Sequence, residues 1–190
     1  GQLNYAYILL SGSVREQFED FYLIKSTGSV INPYNFTQKK DSQCSVTALN
    51  NVKVMEVRPE VIDDLIASNP EFKKKWFKAL FIYESHLNKN LQFLHKTLSD
   101  KQFRRFVEAA EIRLLKSGEK DFVQFGAYLV DGQLDCEGST YTQGGSIIPK
   151  EKMIKALTDC IVIKFNEVTG INVKETLRVS NLKEDDKKSG

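Results

Sequence analysis

The chain has 190 residues, of which 41% are hydrophobic and 27% charged, with a formal net charge of +2. That length holds one large or two small globular domains, and the near-neutral balance gives no electrostatic footprint for a nucleic-acid partner. No apolar run is long enough to span a bilayer, the opening Gly1-Gln2-Leu3-Asn4 lacks a signal-peptide pattern, and Cys44, Cys136 and Cys160, with no CxxC or Cys/His cluster, point to small core residues in a reducing compartment rather than to metal.

In chain order, residues 5–10 form a short apolar run closed by the turn Ser11-Gly12-Ser13, and residues 21–25 a second, broken by Ser26-Thr27-Gly28. Residues 44–49 and 52–57 follow, separated by Asn50-Asn51, and all four runs predict strands. The period then changes. Residues 59–67 predict a helix with Val61, Ile62, Leu65 and Ile66 on one side. Asn69 suits an N-cap and Pro70 a first helical position. Phe72, Trp76, Leu80, Tyr83, Leu87, Leu91 and Leu94 recur at steps of three and four, which predicts one long helix with a single dry face. Ser99 and Gln102 form a capping-box pattern ahead of Phe103, Phe106, Val107 and Ala110. Strand signals return at 112–115, 122–123, 127–130, 146–148 and 161–165, punctuated by glycines, as in a small barrel or sandwich. The charged tail, 183–190, is expected to be disordered.

Several anchors occur twice in the same order. Ala6-Tyr7-Ile8-Leu9-Leu10-Ser11-Gly12 reappears as Ala127-Tyr128-Leu129-Val130-Asp131-Gly132, and Gly28-Ser29-Val30-Ile31 as Gly145-Ser146-Ile147-Ile148. The stretch from Ala48 to Val57 matches that from Ala156 to Phe165 without a gap. Three ordered anchors predict two copies of one β-rich module.

The strand-turn Tyr5-Ala6-Tyr7-Ile8-Leu9-Leu10-Ser11-Gly12-Ser13-Val14, the approach Thr27-Gly28-Ser29-Val30-Ile31, the strand pair from Ser45 to Val57 and the helix ending at Ser68-Asn69-Pro70 resemble the cyclic nucleotide-binding domain family. The second copy adds a similar opening helix at Leu98-Ser99-Asp100-Lys101-Gln102-Phe103 and a strand end at Lys116-Ser117-Gly118-Glu119. The resemblance implies an α+β fold with two jelly-roll lobes. It assigns 1–68 to the later part of a first, incomplete lobe, 69–97 to a helical linker and 98–182 to a second lobe. The first copy starts at the family's third strand, so the natural protein is expected to continue upstream.

The family's ligand chemistry needs a Gly-Glu pair opening a short helix toward the cyclic phosphate, and an Arg downstream. The Gly-Glu positions fall on Asn32-Pro33 and the Arg position near Ser42 or Gln43, with Lys39 and Lys40 as the nearby point charges. In the second copy the pair is Pro149-Lys150, the cassette helix is missing, and Lys150, Lys152 and Lys155 have nothing to fix them. Losing one charge-assisted pair to a buried phosphate costs about 2–5 kcal/mol. The expectation is therefore a non-catalytic regulatory or interaction segment of a larger protein, with no cofactor. The resemblance extends to the tails of ion channels and sodium/proton exchangers and to kinase regulatory subunits. A transporter or channel parent follows from it, with a cytoplasmic location or the cytosolic face of a membrane protein. The partners implied are the rest of the parent or other proteins. A genuine sensor of cAMP, cGMP or another small anion, and a structural subunit of a large assembly such as a ciliary complex, are the alternatives.

Outside the resemblance, Lys73, Lys74, Lys75 and Trp76 form a basic, aromatic helix start that suits an anionic membrane surface or an acidic partner. The competing reading, which we favour, packs Trp76 and Leu80 inward and leaves the lysines solvated. His86 and His95, nine apart, share no helix face and are expected at the surface. No phosphate-binding loop and no Ser/His/Asp set is legible.

Overall fold

The computed structural model describes residues 5–33, 44–142 and 144–167. Its class is α+β, the class expected, with fourteen strands in antiparallel sheets and four helices among the described residues and no closed barrel. The chain divides into two compact units between Tyr83 and Glu84.

The first unit opens with β1 (Ala6–Ser11), β2 (Val14–Gln17), β3 (Tyr22–Lys25), β4 (Val30–Ile31), β5 (Ser45–Ala48) and β6 (Lys53–Val57). They form two sheets, ordered β4-β1-β6 and β3-β2-β5. β2 escapes the sequence reading because three of its four residues are polar, and β4 because it is two residues long. Leu9, Val14 and Ile31 close the core, backed by Tyr7 and Val52. Helix α1 (Pro59–Ser68) buries only Ile62 and leaves Val61 exposed, so its predicted apolar side is narrower than expected. Asn69 ends this helix and starts the next. Its N–H donates to the Leu65 carbonyl at 2.9 Å, and its side chain accepts from the Phe72 N–H at 3.0 Å.

Helix α2 (Pro70–Leu87) crosses the division between the units and stops short of the predicted end near Leu94. The physical reason lies at Asn88. Its side chain turns away to donate to the Gly145 carbonyl at 3.2 Å and to accept from the Asn90 N–H at 3.0 Å. A short polar side chain that bonds nearby backbone competes with the helical ladder. Leu91 and Leu94 are still buried, but on a turn and on the separate helix α3 (Phe93–Thr97). Helix α4 (Asp100–Ala109) begins with the expected capping box, both arms of which are made.

In the second unit, β7 (Glu111–Leu115), β8 (Lys120–Val123), β9 (Ala127–Asp131), β10 (Leu134–Cys136), β11 (Ser139–Tyr141), β12 (Ser146–Ile148), β13 (Lys152–Ala156) and β14 (Cys160–Lys164) form two sheets. Their orders are β12-β9-β14-β7 and β11-β10-β13-β8. Apart from the hairpin β10–β11, successive strands trade between the two sheets in the manner of an eight-stranded jelly roll. The core lies between the sheets: Leu115, Leu129, Ile148 and Val162 from one, and Val123, Leu134, Ile154 and Ala156 from the other. None of the three cysteines is bridged; Cys136 and Cys160 are buried as expected, whereas Cys44 is only half-buried.

The strand pairing of the first unit recurs in the second, with Tyr7 rather than Ala6 at the place of Ala127. β1, β4 and β6 pair as β9, β12 and β14 do, and β2, β3 and β5 as β10, β11 and β13 do. The Gly28 N–H donates to the Leu9 carbonyl and the Gly145 N–H to the Leu129 carbonyl, both at 2.8 Å. The Ser13 N–H reaches the Asn50 side chain at 2.8 Å, and the Gln133 N–H reaches the Thr158 hydroxyl at 3.0 Å. Gly12 and Gly132 have φ of +85° and +96°, and a Cβ there would lie 2.3 Å from the Asn51 carbonyl and 2.4 Å from that of Asp159. Only glycine fits both the angle and the space.

Candidate functional site

The inner face of the first unit carries a polar cluster that sequence reasoning missed. β2 alternates inward Val14 and Glu16 with outward Arg15 and Gln17, so the pleat sends Glu16 into the unit. Glu16 is 0% exposed. The Tyr83 hydroxyl, from α2, donates to one of its carboxylate oxygens. The Asn32 N–H donates to the other at 2.5 Å. The Lys25 ammonium lies 4.8 Å from the Tyr83 ring centroid. Phe18 stands edge-on to the same ring at 5.8 Å.

Burying a carboxylate is costly unless donors and a counter-charge attend it. Desolvation pushes the Glu16 carboxyl above its ordinary range, opposed by the Tyr83 bond, the Lys25 charge and the Asn32 N–H. Desolvation also draws the Lys25 ammonium downward, opposed by Glu16. Tyr83 is raised by its burial and by the adjacent Glu16 charge, so it remains a donor. Counting along the paired strands, the second unit has Cys136 at the place of Glu16. The signal available in the sequence was an acidic residue at an inward position of a two-residue alternation, and it is faint in so short a strand.

Of the residues proposed from sequence, Asn32 belongs to this cluster. Its φ of +49° is left-handed, a conformation Asn tolerates better than most residues. Its Oδ1 is buried with no hydrogen-bond partner among the described residues. Pro33 is buried and helical in backbone. Lys39, Lys40, Ser42 and Gln43 lie outside the described residues, as does the tail expected to be disordered. At the start of α2, Lys74 pairs with Glu71 at 3.6 Å, Lys75 is exposed and Lys73 half-buried. Trp76 is 2% exposed and its ring lies 5.9 Å from that of Phe72.

In the second unit, only residues 149–151 connect β12 to β13, with Glu151 at a φ of +56°. The sequence left Lys152 without an anchor, and the structure corrects this: its ammonium meets Glu137 at 2.8 Å across the hairpin side of the sheet.

The histidines are also corrected. The break after Leu87 folds α3 back, so the His86 and His95 rings stack with centroids 3.8 Å apart. The Ser85 hydroxyl and His95 Nε2 are 2.7 Å apart, and Phe103 lies 4.3 Å from the His95 ring. Both histidines are half-buried. Desolvation first, and the neighbouring His95 second, bring His86 down to about 4. The described residues hold no cluster of three or more metal-ligating side chains.

No family model and no curated protein matches this chain. Several solved structures are similar to it. One is cAMP-bound PfPKA-R, at 16% identity and a TM-score of 0.37, over 95% of this chain and 72% of that one. Another is the regulatory subunit of a cAMP-independent protein kinase A from Trypanosoma brucei, at 10% identity and a TM-score of 0.39, over 97% and 72%. A third is the regulatory domain of Toxoplasma gondii PKA with cAMP, at 13% identity and a TM-score of 0.38, over 94% and 78%. At such identities and scores the likeness carries neither a ligand nor a partner across to this chain.

Proposed function

We propose that the chain is a non-catalytic regulatory and interaction segment of a larger protein, built from tandem lobes of cyclic nucleotide-binding type that do not take the nucleotide in the usual way. The observation that carries the reading is Glu16. In a lobe of this type the backbone at the Asn32-Pro33 positions turns N–H groups toward the cyclic phosphate. Here the Asn32 N–H is held by a buried carboxylate, and Pro33 has no N–H to offer. A carboxylate in that place repels a phosphate and already fills its role as acceptor. In the second lobe the reading is supported by the three-residue connection from β12 to β13, which leaves no helix N-terminus to receive an anion.

The lobes then act through packing and protein contacts. The parent we propose is an ion transporter or channel that carries this segment on its cytosolic side, a part of the proposal that rests on the family resemblance. No helix among the described residues is long and apolar enough to cross a membrane.

Calorimetric titration of the 190-residue chain with cAMP and cGMP at low salt is the test. The expected result is no heat, and no thermal shift at millimolar nucleotide. Saturable micromolar binding overturns the reading in favour of a true anion sensor, to be mapped with Lys39→Ala and Lys40→Ala.

A further inference from the structure

One sheet of the second unit turns a mixed apolar and basic face outward. β8 and β13 pair with Phe122 opposite Met153 and Lys120 opposite Lys155. Val123, Ile154 and Ala156 belong to the core, so the alternation along both strands sends Lys120, Phe122, Met153 and Lys155 to the other side. All four are exposed, Phe122 and Met153 at 46% each. Single exposed apolar residues are ordinary. Here two stand directly opposite each other, beside two like charges that do the same.

The like charges are the informative part. The Ala156 N–H donates to the Glu119 carbonyl at 2.8 Å. The next pair along, Lys120 and Lys155, therefore falls where the strands exchange no ladder bonds and facing side chains come closest. Like charges in that position destabilise a sheet. Nearby lysines are neutralised: Lys116 by Asp159, Lys152 by Glu137 and Lys164 by Asp121. Neither Lys120 nor Lys155 forms an ion pair among the described residues. Asp135 lies beside Lys155 on β10, but its carboxylate accepts from the Gly138 N–H at 3.4 Å. A lysine on an edge strand also serves to block strand addition, and β8 is an edge strand. That role accounts for Lys120. It does not account for Lys155, because β13 lies inside the sheet between β10 and β8, nor for the apolar pair. The Phe122 N–H is already taken by the Asp121 side chain at 2.8 Å, which favours a partner on the face over a strand added at the edge.

We propose that this face docks an acidic segment of a partner protein, which sets a carboxylate between Lys120 and Lys155 and an apolar side chain on Phe122 and Met153. The two pairs are two residues apart, about 7 Å along the strands, so an extended segment meets both with side chains two positions apart. The carboxylate turns a repulsion into two attractions, and the apolar contact takes Phe122 and Met153 out of water. This surface rests on the interaction reading above, which the nucleotide titration tests independently.

The test selects binders to the full chain from a library of random linear peptides and measures them by fluorescence anisotropy. The same peptides are measured on Lys120→Glu, Lys155→Glu and Phe122→Ser chains. The expected peptides carry Asp or Glu two residues from an apolar side chain, and each substitution weakens them by about tenfold or more. Lys120→Glu should melt no lower than wild type, because it relieves the like-charge pair. Peptides that bind the substituted chains as tightly as the wild type overturn the proposal, as does a lower melting temperature for Lys120→Glu. Phosphatidylserine vesicles that bind the chain and lose it to the same substitutions overturn it in favour of a membrane surface. Self-association that Lys120→Glu abolishes overturns it in favour of a second copy. Heat from cAMP or cGMP on the same chains would instead count against the nucleotide reading alone.

Discussion

At the scale of residues, the buried carboxylate decides the chemistry of the first unit. Tyr83→Phe leaves Glu16 one donor short without changing the packed volume, and should cost about 1–3 kcal/mol. In a Glu16→Gln background the same change should cost less, because the charge that needs the donor is gone. A double-mutant cycle in urea measures the difference. The pH dependence follows from the raised Glu16 carboxyl. The folded state holds that proton more tightly than the unfolded chain does. Its contribution to stability is therefore complete below the ordinary carboxylate range and lost as pH rises through the folded value. Glu16→Gln should flatten that slope, seen as a stability difference between the two proteins that widens toward neutral pH. The histidine stack has the opposite sign. His86 is brought down to about 4, so its contribution is complete above the ordinary imidazole range and lost as pH falls toward that value. His86→Gln should remove part of the acid-side loss of stability, and an acid limb identical to wild type would exclude the stack as its source.

At the scale of elements, termini and breaks carry the information. Ser99→Ala removes one arm of the capping box at α4 and should destabilise the second unit by about 1 kcal/mol, measured by thermal or urea unfolding, whereas Ser99→Asp should keep most of it. The start of α2 answers to fluorescence, because Trp76 is the one tryptophan of the sequence. Being 2% exposed, it should emit to the blue and resist aqueous quenchers, and anionic vesicles should leave both properties unchanged. A vesicle-induced change in quenching would mean that the helix start leaves its packing to meet the membrane, as Lys73, Lys74 and Lys75 would favour. Helix ends marked by Asn69 and Ser99 were legible because capping is local chemistry. The end at Leu87 was not, because the carbonyl that holds the Asn88 side chain belongs to Gly145, far along the chain.

At the scale of the whole molecule, the sequence by itself determined not β2, β4 or the break after Leu87 but the succession of strands, helices and strands and the anchors that recur. Those are written in short-range periods, in turn glycines such as Gly12 and Gly132, and in anchors that recur with their spacing intact. It also led to the expectation that the ligand chemistry of the resembled family departs at Asn32-Pro33. Only the tertiary structure decided that Glu16 accepts from the Asn32 N–H, that His86 meets His95, and that β5 and β6 end their sheets among the described residues. Each of these depends on residues distant in sequence closing over a group and removing its water, or failing to. A local pattern records which way a side chain points. Whether the point it reaches is desolvated, paired or open is set by the elements that pack around it.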